Sequence, residues 1–353
     1  MSRARFEDVA AWLDAALSVD ASPETGLRVP SLGGRVASFS DDLVRPPRPG
    51  DPLPGTLRAP TAMGDDIPAG GRVGVRVRLV QDGDVLLFDF RDSDAPPSDA
   101  PTFRVSAARV EAACARGLAM ALSDGEAPSP SRVAACRERV RIEVDAGRWV
   151  GAAAEDEDPA VVAFGVTRVI DAVLGALGNA WPSRVGAGSC TLGAIVGLWT
   201  EGAASPDVVE VLPGGEGALP SREGRAAWDG VLPPRRVGDP PAWLRIQERV
   251  REGSGGMGAR RGGDGIERRY AVSNPSWARV AIDRITNPPH GIDRAGPPQP
   301  AELWLEPPDG EARRIPAWTD VALPSGATLV VRTAGGAGHG FPGWGVDWDP
   351  DSF

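Results

Sequence analysis

The chain contains no lysine; all 38 of its basic residues are arginine. A Walker A phosphate loop, a kinase-type phosphate lysine, a Schiff-base lysine and a carbamylated-lysine metal bridge are therefore excluded from it. Histidine is almost as scarce, with only His290 and His339. A zinc centre of two or three histidines plus a carboxylate would need both. The three cysteines, Cys114, Cys136 and Cys190, are odd in number and form no CxxC pair. That is the pattern of buried free thiols in a reducing compartment, which points to the cytoplasm. No uninterrupted apolar run reaches the roughly 18 residues that cross a bilayer. Acids break up the apolar stretch within residues 1–17, unlike a secretory signal. A net charge of −10 argues against a nucleic-acid or anionic-membrane partner.

Glycine, by contrast, is abundant, and it clusters. The block Gly253 to Gly265, GSGGMGARRGGDG, holds seven glycines around Arg260, Arg261 and Asp264. Such a segment is neither helix nor regular strand; it serves where main chain must reach positive φ or pass close to something. A second cluster, GGAGHG, occupies Gly335 to Gly340, and a third loop reads Pro213-Gly214-Gly215-Glu216-Gly217-Ala218. Gly214, Gly215, Glu216, Gly217, Ser254, Gly255, Gly256 and Asp264 are the candidate ligand- or partner-facing residues, because their main-chain N–H groups could approach a ligand. Gly253, Gly255 and Gly258 formally match a dinucleotide fingerprint, but Gly262, Gly263 and Gly265 prevent the helix that must follow it.

Along the chain, residues 4–18 read as a short amphipathic helix, and Asp20 to Ala69 as a Pro/Gly-rich extended arm. Alternation at Val73, Val75, Val77 and Leu79 predicts a strand, closed into a hairpin by Asp82-Gly83. Val105 to Leu122 reads as a helix weakly interrupted by Gly117, and Arg139 to Val144 as a strand. A long buried helix is predicted at about 158–180, capped by Asp158 and Pro159 and preceded by the acid run 155–158. Ser183 to Leu198 is glycine-punctuated; Ser189-Cys190 could be a nucleophile, though no GxSxG elbow frames it. Ala242 to Val250 fits a helix face or a strand. Residues 266–272, 277–285, 301–305 and 327–333 read as strands. The fold class expected is α+β, with mixed sheets, the long buried helix and a β-rich C-terminal lobe. The domains expected are an N-terminal helix and arm (1–69), an α+β core (70–240) and a β-rich domain with an acidic tail (241–353). His290, in an Asn-Pro-Pro-His-Gly turn, and His339, in the last glycine cluster, are the weak candidates for acid–base or metal chemistry. The 11 tryptophans fall mostly in the second half and read as packing residues, with a ring-binding platform as the alternative.

The order of these pieces resembles the B-subunit family of ATP-dependent hydantoinases and 5-oxoprolinases, with the related subunits of acetone and acetophenone carboxylases. The resemblance runs from about Ile67 to Gly340. It rests on I-P-A-G at 67–70, the strand ending Asp89-Phe90, V-I-D-A-V-L-G-A-L at 169–177 and the loop Glu210 to Ala218. It continues through GSGGMGARRGGDG, N-P-P-H-G at 287–291 and T-A-G-G-A-G-H-G at 333–340. The resemblance implies a subunit that works beside an A-type ATP-binding subunit on a cyclic amide or carbonyl substrate. ATP and a divalent metal are then expected on the partner, with no cofactor or metal held by this chain. The family's N-D-P-Y-x-G-G-T-H-x-x-D signature does not occur here, and the place of its H-T-H-M-T-N run reads Ala226-Ala227-Trp228-Asp229-Gly230-Val231. The chain is thus expected to be a truncated or divergent member, with another chain supplying the missing N-terminal half. A non-catalytic structural or regulatory paralogue is the alternative, and a stand-alone β-rich ligand-binding module the third reading.

Overall fold

The computed structural model describes residues 20–34, 36–44, 72–96, 103–123, 127–152, 159–203, 206–228, 235–237 and 239–342, with single positions between 11 and 18. The helix expected at 4–18, I-P-A-G at 67–70, the acid run 155–158 and the tail at 347–351 lie wholly or mostly outside these residues. The fold is α+β, as the sequence predicts, with three principal sheets and a long helix (Pro159–Ala180) that lies against the first of them.

The first sheet has the order β1 (Ala37–Val44), β2 (Arg72–Asp82), β3 (Val85–Asp89), β5 (Val140–Glu143). β2 (Arg72–Asp82) and β3 (Val85–Asp89) form the predicted hairpin, with Asp82 paired to Val85. The turn residues are therefore Gly83-Asp84, one position later than Asp82-Gly83. Gly83 takes φ 58°, a torsion that glycine adopts without strain. Val73, Val75, Val77 and Leu79 are buried, while Arg76 and Arg78 face outward. β5 (Val140–Glu143) runs parallel to β3. Such a pair needs a crossover, supplied here by β4 (Val105–Ser106), α1 (Ala107–Ala121) and α2 (Pro130–Glu138). β4 pairs in parallel with β6 (Val150–Ala152). α2 has a local cause. The Ser129 hydroxyl accepts from the Arg132 N–H at 3.2 Å, and Pro130 fills the first helical position.

β1 (Ala37–Val44) corrects the reading of residues 20–69 as arm throughout. It pairs antiparallel along β2 from Ala37↔Leu79 to Val44↔Arg72. Its sequence, ASFSDDLV, has too few apolar residues to announce a strand; the neighbouring β2 supplies the hydrogen bonds that make it one.

α3 (Pro159–Ala180) is buried on nearly every side, as its V-V-A-F and V-I-D-A-V-L runs predict. It is long and apolar enough to cross a membrane, yet 94% of its most apolar stretch is enclosed by the rest of the fold. Its neighbours settle into glycine gaps: the Phe39 ring over Gly175, Val105 and Trp149 over Gly165, Ile292 over Gly178. The weak point noted in α1, Gly117, is a helix–helix contact, since a Cβ there would lie 2.8 Å from Val173 Cγ1.

The other two sheets each have five strands. One, in the order β15-β12-β7-β8-β9, comprises Trp318–Leu323, Ser276–Ile282, Ala194–Thr200, Val208–Leu212 and Arg235–Val237. It joins strands from both sides of residue 240. The other, β10-β11-β16-β13-β14, comprises Leu244–Val250, Ile266–Val272, Thr328–Arg332, Glu302–Glu306 and Arg313–Arg314. The ambiguous 242–250 stretch is thus a strand, exposed along most of one edge. Glu210 of β8 ties the two sheets together, accepting from Tyr270 Oη at 2.6 Å and Arg268 Nη2 at 2.7 Å, with Arg236 also bonded to it. Phe164 of α3 packs against Trp318 of β15, ring centroids 5.3 Å apart. Trp149, Trp181, Trp199 and Trp318 are buried, and Trp304 sits under the Arg314 guanidinium.

Candidate functional site

The three glycine-rich loops meet. Gly215 N–H donates to Ala334 O (3.0 Å), Gly256 N–H to Gly336 O (2.8 Å), Gly336 N–H to Gly263 O (2.8 Å) and Gly263 N–H to Glu216 O (2.8 Å). Gly188 and Ala187 join from the segment after α3, through Ala337 N–H to Gly188 O and Ala187 N–H to Ala218 O, both 2.8 Å. Main chain lies directly on main chain. A Cβ at Gly215, Gly262, Gly263, Gly336 or Gly338 would run into a backbone atom of another loop. Of the seven glycines at 253–265, only Gly253 has positive φ. The block is therefore glycine for close approach, not for torsion.

The candidate residues take these places. Gly214 pairs with Trp228 and lies on Cys190. Gly217 N–H donates to Ser189 Oγ at 2.9 Å. Ser254, fully buried, accepts from Gly265 N–H at 2.9 Å through its hydroxyl. Asp264 accepts from Gly255 N–H (2.8 Å) and Arg261 Nη2 (2.6 Å). The N–H groups of Gly215, Glu216, Gly217, Ser254, Gly255 and Gly256 all bond within the chain. They hold the junction together. His290 is half-buried, its ring 4.3 Å from that of Phe39, and burial lowers its pKa. His339 contacts Pro182 O through Nε2 at 3.0 Å and pairs through its main chain with Arg260. The two imidazoles thus have separate partners. Cys114, Cys136 and Cys190 are free and buried. Burial pushes the Cys190 thiol up to about 12, so it stays protonated and un-nucleophilic at neutral pH.

Beside the junction lies a cleft of about 70 Å³. α1 contributes Arg116 and Met120, α3 contributes Leu174, and the following segment gives Arg184, Val185, Gly186 and Ser189. The third loop adds Glu216 and Gly217, and the chain after it adds Leu219, Arg225 and Trp228. The Glu216 carboxylate is buried. It accepts from Arg222 Nη1 (2.7 Å) and Nη2 (2.9 Å), and from Arg225 Nε (2.9 Å), Nη2 (3.0 Å) and N–H (2.9 Å). Burial alone would raise its pKa, but the bonds from Arg222 and Arg225 outweigh it and hold the group ionised. Glu216 was legible as a loop residue. The lining arginines Arg116, Arg184 and Arg225 were not, because they come from three separate segments.

A second cluster lies deep in the fold. Arg168 and Asp171 of α3 meet Asp41 of β1 and Asp283-Arg284 after β12. Arg168 bonds Asp283 Oδ2 (2.6 Å) and Asp41 Oδ2 (2.8 Å); Arg284 bonds Asp171 Oδ2 (2.8 Å) and Asp41 Oδ1 (3.2 Å). Thr191 Oγ1 donates to Asp171 at 2.8 Å. Three carboxylates face two guanidiniums. Burial pushes Asp171 up to about 7 against the pull of Arg168, and Asp283 up to about 6 for the same reason. The sequence signal was a charged pair, Arg168 and Asp171, inside an otherwise apolar helix. The cluster does not suit a divalent metal, since guanidiniums already occupy the positions a cation would take between the acids. Among the described residues no group of three or more His, Cys, Asp or Glu is disposed to hold one.

A sequence profile for Hydantoinase B/oxoprolinase matches residues 43–342. The chain belongs to this family. A 5-oxoprolinase, PfmaA, of Pestalotiopsis fici is 33% identical over 38% of this chain and 12% of its own length. The ATP-dependent caprolactamase of Pseudomonas jessenii superposes with a TM-score of 0.59 at 19% identity, covering 96% of this chain and 55% of that one. The nucleotide-free acetone carboxylase gives 0.59 at 14% identity, over 95% and 47%. These two likenesses are of fold. This Hydantoinase B/oxoprolinase chain spans about half the length of the solved structures it resembles.

Proposed function

We propose that this chain is the B-type part of an ATP-dependent hydantoinase- or oxoprolinase-like amidohydrolase, or of a related carboxylase. It acts with an A-type ATP-binding subunit on a cyclic amide or carbonyl substrate. The observation that carries this reading is the family match across 43–342. The absence of lysine fits it, because ATP and its divalent metal then belong to the partner. The chain's own part is to present the cleft beside the glycine junction, whose packed main chain keeps Ser189, Glu216 and Gly217 in fixed positions. The rest of the relatives' length, on this reading, is further polypeptide completing the site. A cytoplasmic enzyme fits the three free thiols.

The test is co-expression with an A-type subunit. The expected result is a complex that co-elutes and couples ATP consumption to ring opening of hydantoin, 5-oxoproline or caprolactam. A chain that elutes alone and adds no turnover to any A-type subunit overturns the reading.

The alternative, a non-catalytic structural or regulatory paralogue, draws on one observation: the two histidines, the obvious proton carriers, are engaged apart from each other. If the complex keeps its full turnover in His290→Ala and His339→Ala, the role of this chain is scaffolding. A large loss in either variant assigns it chemistry.

A further inference from the structure

We infer that the open edge of β10 is a docking site for an extended acidic segment of another polypeptide, which adds to the sheet as a further strand. The inference stands apart from the B-subunit reading, and either can fail alone.

β10 is the end strand of the sheet β10-β11-β16-β13-β14, so one of its sides has no neighbour among the described strands. Its register with β11 fixes which groups face that side. Ser273 N–H donates to Trp243 O at 2.9 Å, and Arg251 N–H to Gly265 O at 2.8 Å, at the two ends of the ladder. Odd-numbered residues therefore bond toward β11, and Ile246, Glu248 and Val250 turn their N–H and C=O groups outward. Among the described residues no group bonds the outward main chain of these three. The opposite edge, β14, is only two residues long, whereas β10 offers seven. An open edge of that length is a template for strand pairing.

The side chains define the strand that fits. On one face a row of alternating charge crosses the sheet. Glu302 of β13, Arg332 of β16, Glu267 of β11 and Arg249 of β10 are successive cross-strand neighbours. Glu302 pairs with Arg332 at 2.8 Å, Arg332 with Glu267 at 2.8 Å and Glu267 with Arg249 at 3.0 Å. The row ends at the open edge on a cation whose side chain is 70% exposed. The next place in the row calls for a carboxylate. Arg245, on the same face of β10, is exposed and has no ion-pair partner among the described residues. It calls for a second one. On the other face Ile246 packs against the core and Val250 is 44% exposed, so both suit apolar neighbours. Glu248 between them is held by Arg268 at 2.7 Å. The fitting strand thus has two acids on one face, spaced like Arg245 and Arg249, and apolar residues on the other. A second copy does not fit. Two β10 strands paired antiparallel about Gln247 would set Arg245 against Arg249 twice. The arginines that bar self-association also select the partner.

The experiment is amide hydrogen exchange of the full chain in millimolar capped peptide Val-Glu-Thr-Thr-Val-Glu-Val. In antiparallel pairing its glutamates fall opposite Arg249 and Arg245. Slower exchange at Ile246, Glu248 and Val250, saturating with peptide, is expected. Lysine in place of the second glutamate should weaken the peptide about tenfold. Arg245→Glu should restore binding of the lysine peptide and weaken the parent peptide about tenfold. Val250→Pro, which removes an outward N–H at a residue that makes no ion pair, should abolish protection of Ile246 and Glu248. No saturable protection of β10, or equal binding of both peptides by the wild-type chain, overturns the proposal. So does a dimer of the chain that Val250→Pro dissociates, since a second copy would then be the occupant.

Discussion

At Gly336 a methyl group would meet the main-chain carbonyl of Glu216, which cannot rotate away as a side chain could. Gly336→Ala is therefore expected to cost about 3 kcal/mol or more, read as a shift in urea midpoint or as failure to fold. Gly253 makes the contrast. It has φ 83°, and a methyl group added there would meet nothing within 4 Å, so Gly253→Ala should cost only about 1 kcal/mol of torsional strain. Equal costs at the two sites would show that torsion, not close approach, dictates the glycines. Asp171 gives a prediction of a different kind. Its folded pKa, about 7, lies above the unfolded carboxylate value, so the unfolded chain releases its proton first as pH rises. Its contribution is full below about pH 4 and is lost as pH rises through 7. Glu216 has the opposite sign: its folded pKa is depressed, and its contribution is lost as pH falls through that value. Between pH 4 and 7, Asp171→Asn is expected to flatten the pH dependence of the urea midpoint relative to wild type. An unchanged slope would show that Asp171 titrates normally.

Among the elements, α3 carries the greatest burden. Its Arg168 joins β1 to the residues after β12 through Asp41 and Asp283. Arg168→Met would leave three buried carboxylates facing one guanidinium, at a cost of about 3–5 kcal/mol in the urea midpoint. Arg284 sits in the same cluster with φ 67°, a torsion uncommon for a residue with a side chain, and its bonds to Asp41 and Asp171 hold it there. Gly175→Ala should displace the Phe39 ring and cost about 1–3 kcal/mol. It should also speed hydrogen exchange in β1 before other strands, since β1 leans on α3 through that ring. The elements with strong periodicity, α1, α3, the hairpin and four of the C-terminal strands (β11, β12, β13 and β16), were legible in the sequence, whereas β14 and β15 were not read. β1 was not, because its apolar positions are few and its pairing depends on a partner already folded. α2 was not read from the sequence; its cap, Ser129 followed by Pro130, stands out only once the helix is seen. The candidate site was half legible. Glycine spacing revealed close approach, but not what the glycines approach, and the buried cluster joins Asp41 to residues far along the chain.

For the whole molecule, the B-subunit reading makes the isolated chain silent toward ATP and active only in company. An ATPase signal from the pure chain would contradict it. An arginine-only basic complement suits such a role, because guanidiniums stay charged when buried at Glu210, Glu216 and the Arg168 cluster, where an ammonium would tend to lose its proton. The glycine junction carries a thermal consequence. It buries amide groups where an ordinary core buries hydrocarbon, and exposing amide lowers the heat capacity of unfolding while exposing hydrocarbon raises it. The calorimetric heat-capacity step on melting should therefore fall below that of an average chain of equal length, giving a flatter stability curve and a wider working range of temperature.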